Sequence, residues 1–205
     1  MNNIKIFDND LPSDIDLTNE KVIGLDCEAL GLVIGRDPLT LIQLGLESKK
    51  YYLIKLNRKT YSAPNLIKVL SNPNTQFIMH YARQDLLWIK YHLKIEVKNI
   101  FCTKLCSKIA RTAANAHGYK DLVKELCGKD ISKKEQQSDW GDPNLSEKQI
   151  SYAAQDTEFL FEIKNKLMKM LIREKRIELF EKCMKVLPVL VDMEIAGYKL
   201  STLEH

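Results

Sequence analysis

The stretch "VIGLDCEALGL", residues 22–32, combines the apolar composition of a buried strand with two acidic side chains near its centre. Burying one carboxylate without a partner costs free energy, and burying two side by side costs more. Because residues two apart on a strand point to the same face, Asp26 and Glu28 share one side of the predicted sheet and Cys27 faces the other. A positively charged group is therefore expected beside Asp26 and Glu28.

The segments around this stretch predict an α/β fold, in which a mixed sheet is flanked by helices. Turn residues separate segments rich in Ile, Leu, Val and Tyr, and short connectors favour an antiparallel meander in the first half of the chain. Ser146 and Gln149 have the spacing of a capping box at a helix start. The predicted strands are 4–7, 21–28, 39–47, 51–56 and 75–80, and the predicted helices are 63–74, 82–93, 103–113, 119–128, 146–175 and 176–196.

Composition sets broad limits on the class of protein. The 205 residues are enough for one sizeable core, and their 45% hydrophobic and 28% charged content is typical of soluble globular proteins. No run of residues approaches the length of a membrane span, and the polar N-terminus does not resemble a signal peptide. A formal net charge of +4 permits a nucleic-acid partner without requiring one. We expect a single domain over residues 1–202, with residues 203–205 as the remnant of a purification tag.

The five cysteines are odd in number and lack the spacing of a disulfide framework, which predicts reduced thiols and a cytoplasmic location. Cys102 and Cys106 have a spacing that would place two metal ligands on one helical face. No second pair matches them, and His117 alone does not complete a zinc site. They are interpreted as small buried side chains.

Three further polar residues lie in apolar surroundings. Asp85 follows a predicted strand in the first turns of a helix, and Asp156 lies on a helix among Ala, Ile, Leu and Phe. Tyr152 is one turn before Asp156, so the two share a helical face. Each has an ordinary alternative, which is a favourable charge at a helix start for Asp85 and a surface contact for the pair. The order of all the motifs along the chain is more specific than any one of them.

The segments "GLDCE", "HYARQD" and "YAAQD" resemble the three motifs of the DEDD superfamily of 3′–5′ exonucleases, in its tyrosine-bearing branch. Residues 102–157 closely resemble ribonuclease D, and the similarity extends over about residues 20–170. The short ribonuclease D-like proteins of bacteria, which lack the accessory helical domains of longer relatives, are the most similar. The resemblance implies a ribonuclease H-like fold and the hydrolysis of RNA from a free 3′ end, with release of nucleoside 5′-monophosphates.

The resemblance also implies a cofactor and residue roles. Two Mg²⁺ or Mn²⁺ ions about 3.5–4 Å apart would be held by hard carboxylate oxygens. By motif position, Asp26 would bridge both ions, Glu28 and Asp156 would complete the first site, and Asp85 would hold the second through water. Tyr152 would orient the attacking water.

Four residues are candidates for substrate binding. Leu30 and Leu32 follow the first motif, where family members wedge an apolar side chain against the terminal base. His80 ends a strand before the second motif, although a hydrogen-bonded structural histidine is the alternative. Trp140, in the "SDWGDPN" loop, is the better placed tryptophan, since Trp88 has the pattern of a core residue. Seven Lys or Arg between residues 83 and 111 form a solvated helical face or follow the phosphates of a single strand.

Other functions stay open at this point. Metal and carboxylate chemistry does not distinguish RNA from DNA, because that distinction requires contacts to the 2′-hydroxyl. A 3′–5′ exodeoxyribonuclease of proofreading or Werner type is therefore an alternative substrate class, and a catalytically inactive nucleic-acid-binding module is an alternative function. The expected partner is a single-stranded 3′ end of RNA in a bacterial cytoplasm, with no membrane. A homodimer would add substrate surface, but the sequence contains no evidence for one.

Overall fold

The computed structural model describes residues 3–132 and 134–203. Glu204 and His205 of the predicted tag remnant lie outside these ranges. Within them, six strands form one mixed sheet in the order β1-β4-β3-β2-β5-β6. The strands are β1 Ile4–Asp8, β2 Val22–Ala29, β3 Leu39–Gly45, β4 Tyr51–Lys55, β5 Gln76–Met79 and β6 Ile100–Cys102.

The pairing of the strands corrects one prediction and adds a strand. Strands β2, β3 and β4 form the predicted antiparallel meander, and β5 extends it in parallel to β2. Strand β1 is not part of the meander, because it runs parallel to β4 at the edge of the sheet. Strand β6 was not predicted, since its three residues are too few to show an alternating pattern; it pairs in parallel with β5.

Helices cover both faces of the sheet, which confirms the predicted α/β class. The helices are α1 Pro64–Leu70, α2 Ala82–Leu93, α3 Thr103–Ala110, α4 Tyr119–Leu122, α5 Glu147–Glu158, α6 Leu160–Arg173 and α7 Ile177–Ile195. A π-helical turn, Val123–Cys127, continues α4, and 3₁₀ turns span Lys134–Gln137 and Leu200–Leu203. None of the helices in the described ranges is long and apolar enough to cross a membrane. Whether residues 1–202 fold as a single domain stays a prediction.

The single helix predicted over residues 146–175 is wrong, because the chain bends at Phe159, between α5 and α6. The hydroxyl of Tyr119 donates to the carbonyl of Gln155 at 2.8 Å and accepts the N–H of Phe159 at 3.1 Å. It thereby takes the place of the helical bond that would join Phe159 to Gln155, and such an insertion kinks a helix. The start of α5 is as predicted, with Ser146 and Gln149 forming a capping box.

Two glycines bring α5 unusually close to the sheet. A Cβ atom at Gly45 on β3 would lie 2.4 Å from Thr157 Oγ1, and one at Gly24 on β2 would lie 3.3 Å from the carbonyl oxygen of Thr157. Thr157 is fully buried. Because Asp156 precedes Thr157, the close approach holds Asp156 against the part of β2 that carries Asp26 and Glu28.

Candidate active site

Three of the predicted acids meet above β2. Asp26 and Glu28 project from the strand toward α5, and Asp156 projects from α5 toward the strand. One carboxylate oxygen from each of the three lies within 4.8 Å of the other two, and all three side chains are half-buried. Oxygen ligands at this spacing suit a hard divalent cation such as Mg²⁺ or Mn²⁺.

The fourth acid, Asp85, lines the same cavity but is not a member of this three-carboxylate group. It lies in the first turn of α2, is only 5% exposed, and accepts hydrogen bonds from the thiol and the backbone N–H of Cys27. Cys27 packs against the core on the α2 side of the sheet, as predicted. Asp85 therefore approaches the cavity from the opposite side to Asp156.

Burial and mutual repulsion govern the charge of these acids. Burial raises the pKa of Asp26 well above its usual range, and repulsion from Asp85, Asp156 and Glu28 adds to the rise. For the same reasons, burial first and repulsion second, the pKa of Glu28 rises to about 9. Burial also raises the pKa of Asp85, against the hydrogen bonds from Cys27. A nearby positive charge would lower these pKa values again, so the carboxylate oxygens of these acids fit divalent cations. Such cations are the positively charged groups that the sequence predicts beside Asp26 and Glu28.

Tyr152 lies beside the carboxylates on the same face of α5. Burial is the main cause that raises its pKa above the usual range, and the charge of Asp156 adds to it, so the phenol is protonated at neutral pH. Its hydroxyl is hydrogen-bonded to Asp156. The phenol oxygen consequently keeps lone pairs that accept a hydrogen bond from water.

The acids lie in the wall of a cavity of about 490 Å³, which is in the usual size range of ligand sites. Leu32 and His80 line it, whereas Leu30 does not, and Leu30 packs beside Gly141 instead. Leu32 is 77% exposed, which leaves its side chain free to contact a ligand. The Nδ1 atom of His80 lies 2.9 Å from Thr103 Oγ1. His80 therefore has a structural hydrogen bond, as the alternative interpretation predicts, and it also lines the cavity.

Trp140, the fourth residue predicted to bind substrate, has little surface exposed to a ligand. It is only 4% exposed and belongs to a buried cluster with Leu41, Leu53 and Ala153. Its ring centroid lies 5.9 Å from that of Tyr152, so its influence on the site runs through this neighbour. The indole fills the space between α5 and the sheet. The sequence of the surrounding loop gives no sign of this packing role. Trp88 is buried in the core, as predicted.

Sequence reasoning missed several residues of the cavity, among them Tyr81, Gln84, Lys104 and Lys120. Tyr81 has a left-handed backbone, with φ of 63°, and the Nζ atom of Lys104 lies 4.0 Å from the centre of its ring. The signal for Tyr81 was its position inside the second motif, "HYARQD", directly after His80. Lys104 was one of the seven basic residues already noted, but only the fold shows that it lines the same cavity as the acids.

Part of that basic stretch serves the fold rather than a ligand. Arg83 pairs with Glu194 and Lys90 with Asp192, both of which lie on α7. Arg111 pairs with Glu125. Of the seven basic residues, Lys104 lines the cavity, so the interpretation as a phosphate-binding surface is kept for Lys104 and extended to Lys120, which lies outside that stretch.

Comparisons with known proteins agree with this geometry. A model of 3′–5′ exonuclease domains matches residues 5–172. NrnC from Brucella melitensis is 34% identical and superposes with a TM-score of 0.91 over 96% of this chain and 95% of NrnC. NrnC has also been solved with bound Mg²⁺, at 32% identity and a TM-score of 0.92 over 98% of each chain. The likeness confirms the predicted ribonuclease H-like fold, and the three-carboxylate group of this chain fits the kind of ion that is bound to NrnC.

Curated relatives carry the name ribonuclease D. The protein from Gluconacetobacter diazotrophicus is 32% identical over 165 residues, which are 79% of this chain and 41% of the relative. That from Xanthomonas oryzae is 29% identical over 155 residues, 76% of this chain and 42% of the relative. This chain thus spans less than half the length of the curated relatives that it matches.

Sequence motifs, clustered carboxylates and whole-chain superposition all lead to the same assignment. The chain belongs to the 3′–5′ exonuclease family and is similar to ribonuclease D and to NrnC.

Proposed function

We propose that this exonuclease removes nucleotides from single-stranded 3′ ends of RNA and releases nucleoside 5′-monophosphates. The observation that carries the proposal is the convergence of Asp26, Glu28 and Asp156 in a nucleotide-sized cavity that Asp85 also lines. RNA is favoured over DNA because the relatives include ribonuclease D, and because NrnC, 33% identical over 98% of this chain, has been solved bound to pGG. Those bacterial relatives and the five free cysteines support a cytoplasmic location.

The acids would hold two divalent ions, with Asp26 shared between them, Glu28 and Asp156 on the first, and Asp85 on the second. When bound, such ions stabilise negative charge on both the attacking and the leaving oxygen of the phosphodiester. The chain's own contribution is to fix the donor oxygens in a largely buried site, where electrostatic interactions are strong. The close packing of Thr157 on Gly45 provides that rigidity.

Tyr152 would orient the water that attacks the last phosphodiester. Its hydroxyl proton is directed to Asp156, so its oxygen is free to accept a hydrogen bond from that water. A protonated phenol suits this role, since it holds the water in line without removing its proton.

The rest of the cavity would bind the strand. Leu32 is exposed at the cavity wall and would wedge against the terminal base, with Leu30 supporting it from beside Gly141. Lys104 and Lys120 line the cavity and would supply positive charge for the phosphates, and His80, which lines the same cavity, would be a further contact. Trp140 would act by holding the ring of Tyr152.

The test uses labelled single strands of RNA and DNA with the same sequence, incubated with Mg²⁺, Mn²⁺ or a chelator. We expect a ladder shortened from the 3′ end on RNA, none in chelator, and none for Asp26→Asn. Equal ladders on DNA would contradict the choice of RNA. Internal cuts, or activity that survives the chelator, would contradict the mechanism itself.

A further inference from the structure

Between α5 and the sheet, two buried polar side chains have polar atoms with no hydrogen-bond partner among the described residues. Gln43, on β3, is 0% exposed, yet neither Nε2 nor Oε1 of its amide makes a hydrogen bond. The indole Nε1 of Trp140 is likewise buried and unpaired. Buried polar groups are nearly always hydrogen-bonded, so these two require an explanation.

Gln43 lies directly beside Asp26. The two residues are cross-strand partners in the antiparallel pair of β2 and β3, so their side chains project from the same face of the sheet. Cβ atoms of such partners are about 4.5–5.5 Å apart. The glutamine side chain is long enough to place its amide against the carboxylate of Asp26.

Trp140 lies in the same buried layer. It clusters with Leu41 and Leu53. Leu41 is two residues before Gln43 on the same face of β3, and Leu53 is the cross-strand partner of Gln43 on β4. The indole and the amide are therefore neighbours between α5 and the sheet.

The unpaired atoms are chemically complementary. The indole N–H is a donor only, the amide offers one acceptor oxygen and two donor hydrogens, and an ionised carboxylate only accepts. We propose that Gln43 is a positioning residue for Asp26. Neither bond is formed in the structure, but a turn of the Gln43 amide would let Trp140 Nε1–H donate to Gln43 Oε1 and Gln43 Nε2–H donate to the Asp26 carboxylate.

This chain of hydrogen bonds from Trp140 through Gln43 to Asp26, called the relay below, rests on the proposed function in one respect, namely that Asp26 is the shared metal ligand. A carboxylate that binds two ions has a fixed orientation, and a hydrogen bond from outside the ligand shell maintains it. Loss of such a bond typically weakens metal binding 10- to 100-fold. Trp140 would fix which end of the amide faces Asp26.

The test compares Gln43→Met, which keeps the length of the side chain but removes the amide, with Trp140→Phe, which keeps a ring but removes the N–H. Matched controls are Leu41→Met, on the same face of β3, and Trp88→Phe, in the core on the other side of the sheet. Mn²⁺ affinity is measured by calorimetry, and the melting temperature is measured in chelator.

For Gln43→Met we expect a Mn²⁺ Kd raised about 10- to 100-fold. Its melting temperature in chelator should be unchanged or higher, because an apolar group replaces an unpaired amide. Trp140→Phe should raise Kd by a smaller factor and add nothing in the Gln43→Met background. The controls should leave Kd unchanged.

An unchanged Kd in either variant, or additive effects in the double variant, would overturn the relay. So would a Gln43→Met protein that unfolds in chelator, since the amide would then have a structural role. A separate result would contradict the proposed function, namely a wild-type protein that binds Mn²⁺ but releases no nucleotide from RNA. The Mn²⁺ affinities of the variants would still test the role of Gln43 in that case.

Discussion

Replacing Glu28 by Gln should stabilise the metal-free protein, and more so as the pH rises. The folded protein raises the pKa of Glu28 from 4.5 to about 9 through burial and repulsion from Asp156 and Asp85. An acid whose folded pKa lies above its unfolded pKa must take up a proton on folding once the pH exceeds the unfolded value. The free energy of unfolding therefore falls between about pH 4.5 and 9 and is highest below that window.

The size of the effect follows from the same window. Each proton held only by the folded state lowers stability by about 1.4 kcal/mol per pH unit, which for Glu28 alone sets an upper limit of roughly 5 kcal/mol at pH 8. The neighbouring acids share these protons, so we expect Glu28→Gln to gain about 1–3 kcal/mol at pH 8 and little at pH 5.

The assay is urea denaturation in chelator at pH 5, 6, 7 and 8, with Glu158→Gln, an exposed glutamate of α5, as control. Saturating Mn²⁺ should restore the wild type at pH 8 by binding the folded state alone, and should help Glu28→Gln less. If the stability difference between Glu28→Gln and wild type is the same at pH 5 and pH 8, or favours wild type in chelator, the electrostatic account of the site is wrong.

Three further predictions concern catalysis and packing. Tyr152→Phe should lower kcat about 100-fold with little change in KM, because the attacking water loses its orientation; single-turnover rates with saturating RNA check this, and an unchanged rate would refute the role. Gly45→Ala should cost about 1–3 kcal/mol in denaturation and weaken Mn²⁺ binding, since the new Cβ would meet Thr157; full stability would contradict the close packing. Lys104→Ala should weaken RNA binding and lower the slope of log affinity against log salt concentration by about 0.7. Lys108→Ala, which changes an exposed residue one turn later on α3, should do neither. Equal effects of the two substitutions would contradict a phosphate contact by Lys104.

Simple periodicities predicted which of the site residues share a face, whereas the meeting of the four acids at one site was implied by the resemblance to the DEDD exonucleases. Spacing of two on β2 puts Asp26 and Glu28 on one face, and spacing of four on α5 aligns Tyr152 with Asp156. Those patterns do not predict which face of the sheet α5 covers. It depends on Gly24 and Gly45, whose missing side chains admit the helix.

Features that depend on contacts between distant residues were out of reach. The bend at Phe159 requires the hydroxyl of Tyr119, forty residues earlier in the chain. The burial of Trp140 requires the cluster that α5 makes with β3 and β4, and its loop sequence reads as exposed. The parallel pairing of β1 with β4 depends on the whole sheet, because the sequence of a five-residue strand does not indicate which strand it pairs with.

The most direct test of the account is a crystal structure of the protein grown with Mn²⁺ and measured for anomalous scattering. We expect two peaks about 3.5–4 Å apart, both touching Asp26, one touching Glu28 and Asp156, and the other on the side of Asp85. Peaks elsewhere, or no peak among these carboxylates at saturating Mn²⁺, would contradict the central claim that the four acids form one binuclear site.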